Sequence, residues 1–244
     1  MDGGVRIGIV SDIHSNLPAL TAVLADMGQV DELWSLGDMV GYGPFPNECL
    51  DLLRGRECLA IPGNHDWGAA GKISLEDFNL DARWACEWSR SEVSAEHLAY
   101  LAELPLTRTE GDFTLAHGTP HEPIWEYMTH GAVARLSFHY FASRFCLVGH
   151  THVPLVFVDG VQQADTLHPG PDAPLQLGST RAIINPGSVG QPRDGNPAAA
   201  YAVLDTDEAL VDFRRVPYDV LSIQTRMRVL GFPERLIKRL AYGW

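Results

Sequence analysis

Hydrophobic residues in the first third of the chain alternate between short unbroken runs and helical spacing. Residues 5–10 form an apolar run of buried-strand length. Residues 18–27 place apolar side chains three and four apart, with Pro18 suited to a first helical turn. A strand is expected again over 32–36, a helix over 47–53 and a third strand over 58–61. Strand, helix, strand is the rhythm of a parallel sheet with crossover helices. Residues 74–104 break it. They read as helical, with Trp84, Trp88 and Leu98 as apolar anchors and Ser94 as an N-cap. This stretch suits a helical cap beside the mouth of a site.

Further strands are expected over 113–116 and 145–148, with a helix over 132–141 between them. After residue 152 the helices stop. Short apolar runs over 153–158, 175–177, 181–184, 200–204 and 210–215 follow one another, and 162–174 reads as a polar, proline-containing loop. That change predicts a second, mostly antiparallel sheet built from the late strands. Helices over 220–230 and 234–240 close the chain. The apolar stretch 236–244 suits internal packing or contact with a second subunit, which leaves an oligomer open. The expected fold class is α/β: a four-layer α/β/β/α sandwich of two mixed sheets with a helical cap, in one domain spanning 1–244.

Seven short signatures sit at the ends of apolar runs. They are Asp12-Ile13-His14, Gly37-Asp38, Gly63-Asn64-His65-Asp66, His117-Gly118, Gly149-His150-Thr151-His152, Asn185-Pro186-Gly187-Ser188 and Arg193-Asp194-Gly195. The first five hold half of the chain's 10 histidines. The first three follow predicted parallel strands, where open α/β sheets bind ligands. In an extended chain, residues two apart point the same way, so Asp12 with His14, and His150 with His152, can share a cation. Asp38 has two carboxylate oxygens and can bridge two metals, while Asn64 supplies a neutral amide oxygen. Carboxylate, amide and imidazole donors without thiolate suit Mn, Fe or Zn and not a structural zinc site. Each piece alone also serves ordinary turns, where Asp and Asn bond the backbone. The inference rests on five of them in order, because two-metal sites mostly cut phosphate esters. In the last two signatures small residues bring backbone close to a cleft, and Arg193 offers a bidentate contact to phosphate. A surface Gly/Pro loop is the competing reading.

Charge narrows the substrate. The 244 residues include 18 Lys plus Arg against 31 Asp plus Glu, a formal net charge of −13. That disfavours long nucleic acid and favours a small substrate held chiefly by metal ions. Cys49, Cys58, Cys86 and Cys146 lack C-x-x-C spacing and read as reduced, mostly buried thiols. With no signal-peptide pattern and no apolar run of spanning length, a cytoplasmic protein without a membrane partner is expected.

The ordered signatures resemble the calcineurin-like metallophosphoesterase superfamily, over residues 5–215 and least so over 70–105. The resemblance implies two divalent ions, Mn²⁺ first, with Fe, Zn, Ni or Mg as alternatives, about 3.5–4 Å apart. On it, Asp12, His14, Asp38 and His152 hold one ion, and Asp38, Asn64, His117 and His150 the other. A bridging hydroxide would attack phosphorus in line. His65 would face the phosphate and protonate the leaving oxygen or stabilise the transition state, and Asp66 would orient His65 or a ligating histidine. Arg193, Ser188 and Tyr42 are the expected substrate contacts. Tyr42, Trp67, Phe78, Trp125 and Tyr127 either border the cleft, where a ring could stack a nucleobase, or simply pack. His121 and Glu126 either touch substrate or hold their loop.

The chain departs from the protein Ser/Thr phosphatases of that superfamily, which carry Gly-Asp-x-x-Asp-Arg-Gly. Here Gly37-Asp38 is followed by Met39-Val40-Gly41-Tyr42-Gly43. It looks closer to small prokaryotic phosphodiesterases, including diadenosine tetraphosphatase-like proteins. The expected activity is hydrolysis of a phosphodiester bond in a small, nucleotide-type substrate. A nucleotide pyrophosphohydrolase or phosphomonoesterase on the same site is the alternative, and a non-catalytic scaffold a third.

Overall fold

Local chemistry sets where the elements start and stop. The computed structural model describes residues 4–160, 164–170 and 174–244. In chain order the elements are β1 (Arg6–Val10), α1 (Leu17–Met27), β2 (Glu32–Ser35), α2 (Pro46–Arg54), β3 (Leu59–Ala60), α3 (Asn64–Ala69), α4 (Leu80–Glu92), α5 (Ala95–Glu103), β4 (Thr107–Glu110), β5 (Phe113–Ala116) and α6 (Gly131–Ser137). They continue with β6 (Phe145–Leu147), β7 (Leu155–Val158), β8 (Asp165–Leu167), β9 (Leu175–Gln176), β10 (Ala182–Asn185), β11 (Ala199–Asp205), β12 (Leu210–Val216), α7 (Val220–Val229) and α8 (Glu234–Arg239). The Asn16 side chain accepts from Ala19 N to start α1, and Gly28, at φ 68°, ends it. Asn79 caps α4, Ser94 caps α5 and Asp219 caps α7 in the same way. Ser94 is the cap that the sequence predicts.

Two six-stranded sheets form, ordered β3-β2-β1-β11-β12-β9 and β4-β5-β6-β10-β7-β8. In the first, β1 and β2 run parallel, as do β2 and β3, while β11 joins the free edge of β1 antiparallel. In the second, β5, β6 and β10 are parallel, and β4, β7 and β8 add antiparallel. The late strands therefore do not make a sheet of their own. A parallel β1-β2-β3 unit leaves an open edge whose N–H and C=O groups need a partner, and β11 supplies it. The late strands divide between both sheets, which makes each one mixed. Part of 162–174 lies outside the described residues, and within the remainder 165–167 form β8 on the edge of β7 instead of a loop.

Three apolar layers lie across this scaffold. Ile9, Leu36, Leu115, Leu147, Val156 and Ile184 meet between the sheets. Leu20, Val23, Leu50 and Leu53 cover the outer face of the first sheet with α1 and α2. Phe138 and Phe141, at the end of α6 and beyond it, pack against Cys146, Phe157 and Ile183 on the outer face of the second. The order is helix, sheet, sheet, helix, as expected. A fourth cluster joins α4 to α7 and α8 through Ala85, Cys86, Ile223, Met227, Leu236 and Ile237. The apolar side chains of α8 thus pack internally. The sheets turn the C-terminal ends of β1, β2, β3, β5 and β6 toward one rim, and the site lies there.

Candidate metal centre

Five loops meet at that rim, and hydrogen bonds between them hold the signature residues. Asp12 N donates to Gly37 O at 3.0 Å, His14 N to Asp38 O at 2.9 Å and Gly149 N to His117 O at 2.8 Å. His150 N donates to both Asp12 carboxylate oxygens, at 3.2 and 3.1 Å. Asp38 Oδ1 accepts from His65 N at 2.8 Å, at the start of α3. Glycine is required where the loops touch. A Cβ at Gly63 would run into the Asp38 carboxylate, and one at Gly41 into the His65 ring. Asp12, His14, Asp38, His150 and His152 all have φ between 48° and 64°. The paired ligands therefore converge from left-handed turns and not from an extended strand as the i, i+2 spacing predicts. Asp and His enter that region more readily than most residues, yet it still costs energy that the packed loops must sustain.

The four histidines are oriented from behind. Nδ1 of His14 donates to Val40 O at 3.1 Å, that of His117 to Leu36 O at 2.8 Å and that of His152 to Gln191 O at 2.6 Å. A carbonyl can only accept, so Nδ1 carries a proton in each ring and Nε2 faces inward, with a free lone pair wherever the imidazole is neutral. His150 is reversed: Nε2 faces Trp125 O at 3.3 Å and Nδ1 points in. These lone pairs crowd one another, with His14 Nε2 3.2 Å from His152 Nε2 and His117 Nε2 3.1 Å from His150 Nδ1. Asp38 Oδ2 stands between, 3.5 Å from His14 Nε2 and 3.4 Å from His117 Nε2, and Asp12 Oδ1 is 3.2 Å from His152 Nε2. Asn64 Oδ1 is buried without a hydrogen-bond partner among the described residues.

Protonation follows burial and the two carboxylates. Burial alone would raise Asp38, but His117 and His65 hold it well below the usual carboxylate range. Burial would depress His117, yet Asp38 lifts it to about 9. Burial pushes His14 well down, His150 to about 3 and His65 to about 4. His14 and His150 are thereby neutral imidazoles beside ionised carboxylates, the form that binds metals, whereas His117 carries a proton that a bound ion would displace. The residues fit divalent ions on three counts: inward-facing imidazole nitrogens set by carbonyls behind them, a carboxylate oxygen common to two of them and an orphaned amide oxygen. Asp12, His14, Asp38 and His152 lie close enough to hold one ion, and Asp38, His117 and His150 a second, so Asp38 belongs to both groups.

His65 is buried beside these groups. Its ring meets Tyr42, with centroids 4.4 Å apart, and Phe78 edge-on at 5.5 Å. Cys86 Sγ, from α4, lies 3.3 Å from His65 Nδ1. Burial pushes the Cys86 thiol up, so it stays protonated and can donate to Nδ1, which leaves the His65 proton on Nε2. No sequence signal marked Cys86. Asp66 does not do what was expected of it. Its oxygens accept from Val40 N and Gly63 N, both at 3.0 Å, so it positions the loop and caps α3 and does not orient a histidine. Burial first and Asp38 second raise it to about 7.

A cavity of about 120 Å³ opens over His65, Asn64 and His152, with Tyr42, Phe78, Trp125, Tyr127 and Arg193 in its wall. Trp67 is not in that lining; the Lys72 ammonium lies over its ring at 5.8 Å. Ser188 is a second correction. It is fully buried, its Oγ donates to Asp12 O and accepts from Gln191 N, both at 2.8 Å, and it clamps the ligand loops instead of meeting substrate. Asn185, Val189 and Gly190 make similar clamps to Gly149 O, Ser11 O and Asp12 O. Of the last two signatures, Arg193 is the residue that lines the cavity. His121 and Glu126 hold their own loop, with Thr119 Oγ1 donating to Glu126 at 2.6 Å and His121 Nδ1 at 3.3 Å from it.

A two-sheet α/β scaffold with clustered carboxylates and imidazoles at one rim is that of a metal-dependent hydrolase. The profile of the calcineurin-like phosphoesterase superfamily domain matches residues 5–209, and the chain belongs to that superfamily. Its members hydrolyse phosphate esters, and the family implies divalent ions. An uncharacterized protein of Methanocaldococcus jannaschii is 39% identical over 97% of this chain and 98% of its own length. The crystal structure of a metallophosphoesterase from Sphaerobacter thermophilus superposes with TM-score 0.92, at 47% identity, over 99% of this chain and 100% of that one. A putative diadenosine tetraphosphatase shares the fold at TM-score 0.53 and 15% identity, over 87% and 94% of the two chains. Among the described residues, no helix is long and apolar enough to cross a membrane.

Proposed function

We propose that the protein is a dinuclear-metal phosphodiesterase acting on a small, nucleotide-type substrate. The observation that carries this reading is the Asp38 carboxylate, shared between two groups of donors whose free histidine nitrogens all face inward. Asp12, His14, Asp38 and His152 would hold one ion, and Asp38, Asn64, His117 and His150 the other. Bound there, Mn²⁺ or a similar ion would supply Lewis acidity and an activated water. The chain's own residues do the rest. Val40 O, Leu36 O and Gln191 O fix three of the imidazole tautomers. His65, with Cys86 on Nδ1, keeps a proton on Nε2 for a leaving oxygen. Burial keeps the ring a neutral imidazole near pH 7, so its Nε2–H would hydrogen-bond the leaving oxygen and stabilise the charge that develops there. Arg193 offers its guanidinium to phosphoryl oxygens. Phe78, Trp125 and Tyr127 present rings on the other side of the cavity, which suits a base or another planar group.

A phosphomonoesterase or a nucleotide pyrophosphohydrolase would use the same donors. A non-catalytic scaffold would be expected to lose donors or His65, and this chain keeps them. The net charge of −13 supports a small substrate over long nucleic acid. The test is to strip the protein of metal, reload it with Mn²⁺ and assay bis-p-nitrophenyl phosphate against p-nitrophenyl phosphate. Cleavage of the diester with little of the monoester is the expected result. Preference for the monoester would replace the reading with a phosphomonoesterase, and inactivity with every first-row ion would overturn it.

A further inference from the structure

The apolar layer between the sheets is shut at the metal rim and open at the other end. There a hollow of about 580 Å³ is floored by Ile7, Trp34, Phe113, Phe145 and Leu204, all members of the cluster that joins the two sheets. Two residues further along the chain, Ile9, Leu36, Leu115 and Leu147 are buried and close the layer behind this floor. Protein interiors hold few voids larger than a water molecule. A concave, mostly apolar space of this size falls in the range of small-molecule sites, about 300–1,000 Å³. The four strands that carry Ile7, Trp34, Phe113 and Phe145 end at Asp12, Asp38, His117 and His150. From Ile7 to Asp12 the strand rise amounts to about 16 Å. A small substrate at the metal centre does not span that length, so a molecule held in the hollow is a separate ligand.

The chemistry of the hollow points to a cation. Its floor is aromatic: the Phe113 and Phe145 rings lie 5.2 Å apart, and Trp34 meets Phe113 edge-on at 6.0 Å. The faces of such rings attract positive charge. The protein already places one cation in this way, with Arg144 Cζ 5.9 Å from the Phe145 ring centroid. The rim carries three acids, Glu32, Glu110 and Asp112, against Arg144 as its one base. Arg144 is engaged with Asp112 at 3.4 Å, and Arg108, which does not line the hollow, with Glu110 at 2.6 Å. Glu32 differs from both. Its carboxylate accepts from Trp34 Nε1 at 2.8 Å, which ties it to the edge of the aromatic floor. Among the described residues, no basic group lies within salt-bridge distance of it. An anion would be repelled by this rim, and a neutral apolar body would gain nothing from Glu32. An ammonium on an apolar body uses both the rings and the carboxylate.

We propose that this hollow is a second binding site, which takes a small organic cation: an ammonium group carried on a flat apolar body of one or two rings. The body lies between the sheets against Trp34, Phe113 and Phe145, and the ammonium stands beside Glu32. The site is separate from the metal centre, and it holds or fails independently of the reaction carried out there.

The test uses the full chain and three probes of one shape: 1-naphthylmethylamine, protonated at neutral pH, 1-naphthylmethanol and 1-naphthoate. Each is titrated by NMR while the Trp34 indole N–H signal is followed, that signal being assigned by its loss in Trp34→Phe. The amine is expected to move the Trp34 signal and to bind about tenfold more tightly than the alcohol, with the carboxylate weakest. Glu32→Gln keeps an acceptor for Trp34 Nε1 and removes the charge. It is expected to lower the affinity for the amine about three- to fivefold and to leave that for the alcohol unchanged, with thermal melting as the check on folding. A Trp34 signal that stays still at millimolar amine overturns the site. Equal binding of amine and alcohol overturns its preference for a cation, and so does an unchanged preference in a folded Glu32→Gln protein. Because the probes contain no phosphate and the readout is Trp34, neither result bears on the phosphoesterase reading.

Discussion

Two hollows lie at opposite ends of the sheets, and the larger one holds none of the candidate donors. It measures about 580 Å³, sits where β1, β5 and β6 begin, and is lined by Ile7, Trp34, Phe113 and Phe145 with Glu110 and Arg144. The smaller, about 120 Å³, sits where the parallel strands end. Size favours the first; chemistry favours the second. Among the described residues, nine non-glycine residues have left-handed φ, and Asp12, His14, Ser15, Asp38, Tyr42, His150 and His152 are seven of them. Each such residue costs about 1–3 kcal/mol, and packing sustains that cost where the geometry is needed. The larger hollow borders regular strands and aromatic contacts such as Phe113 against Phe145, 5.2 Å apart. Strain and converging lone pairs, not volume, mark the working end.

Substitutions at both ends would sharpen or break this contrast. The largest effect should come from Asp38→Ala, which removes the oxygen common to both donor groups. Ion content should drop, and turnover should fall by at least about 10³-fold, the several kcal/mol that a Lewis-acid ion supplies. Two retained ions by elemental analysis, with near-normal turnover, would move the centre elsewhere. His65→Ala should keep both ions while kcat falls about 10²–10⁴-fold. A kcat close to native would take His65 out of the mechanism. In the larger hollow, Phe145→Ala should cost about 3 kcal/mol in denaturant unfolding, the low end for a large truncation because the site already borders space. Its turnover per folded molecule should not change; a selective loss of kcat would tie the two ends together. The smallest effect belongs to Asp66→Asn, which weakens the bonds to Gly63 N and Val40 N by about 1–2 kcal/mol. A change in His65 tautomer by NMR in that variant would restore the direct role that the geometry denies Asp66.

Much of this rim was legible in the sequence, because the donors there occur as short polar signatures at the ends of apolar runs. Asp12, His14, Asp38, His117, His150 and His152 lie together at the rim, and Asn64 lines the cavity there. The means of meeting was not legible. Spacing of two suggests an extended strand, but left-handed φ depends on loops that come together only in three dimensions. Ser188 and Asp66 looked functional by position and turned out to bond backbone, which side-chain chemistry alone cannot foretell. Cys86 comes from a helix whose apolar pattern gave no sign of the site it borders. Strand identity was easier to read than strand partner. Residues 199–205 look like a strand in any sheet, and only the open edge of β1 decides which sheet they enter.

One consequence concerns the order in which the molecule is made. Asp12, His14, Asp38 and Asn64 follow strands of the first sheet, whereas His117, His150 and His152 follow strands of the second. A ribosome releases the carboxylates and the amide long before His150 and His152, and before Gln191, whose carbonyl aims His152. The emerging chain therefore carries an open claw. It closes when the later residues arrive, so an ion seated there would clasp an early part of the polypeptide to a later one. Metal uptake would then serve as the last step of maturation and the seal on a finished fold.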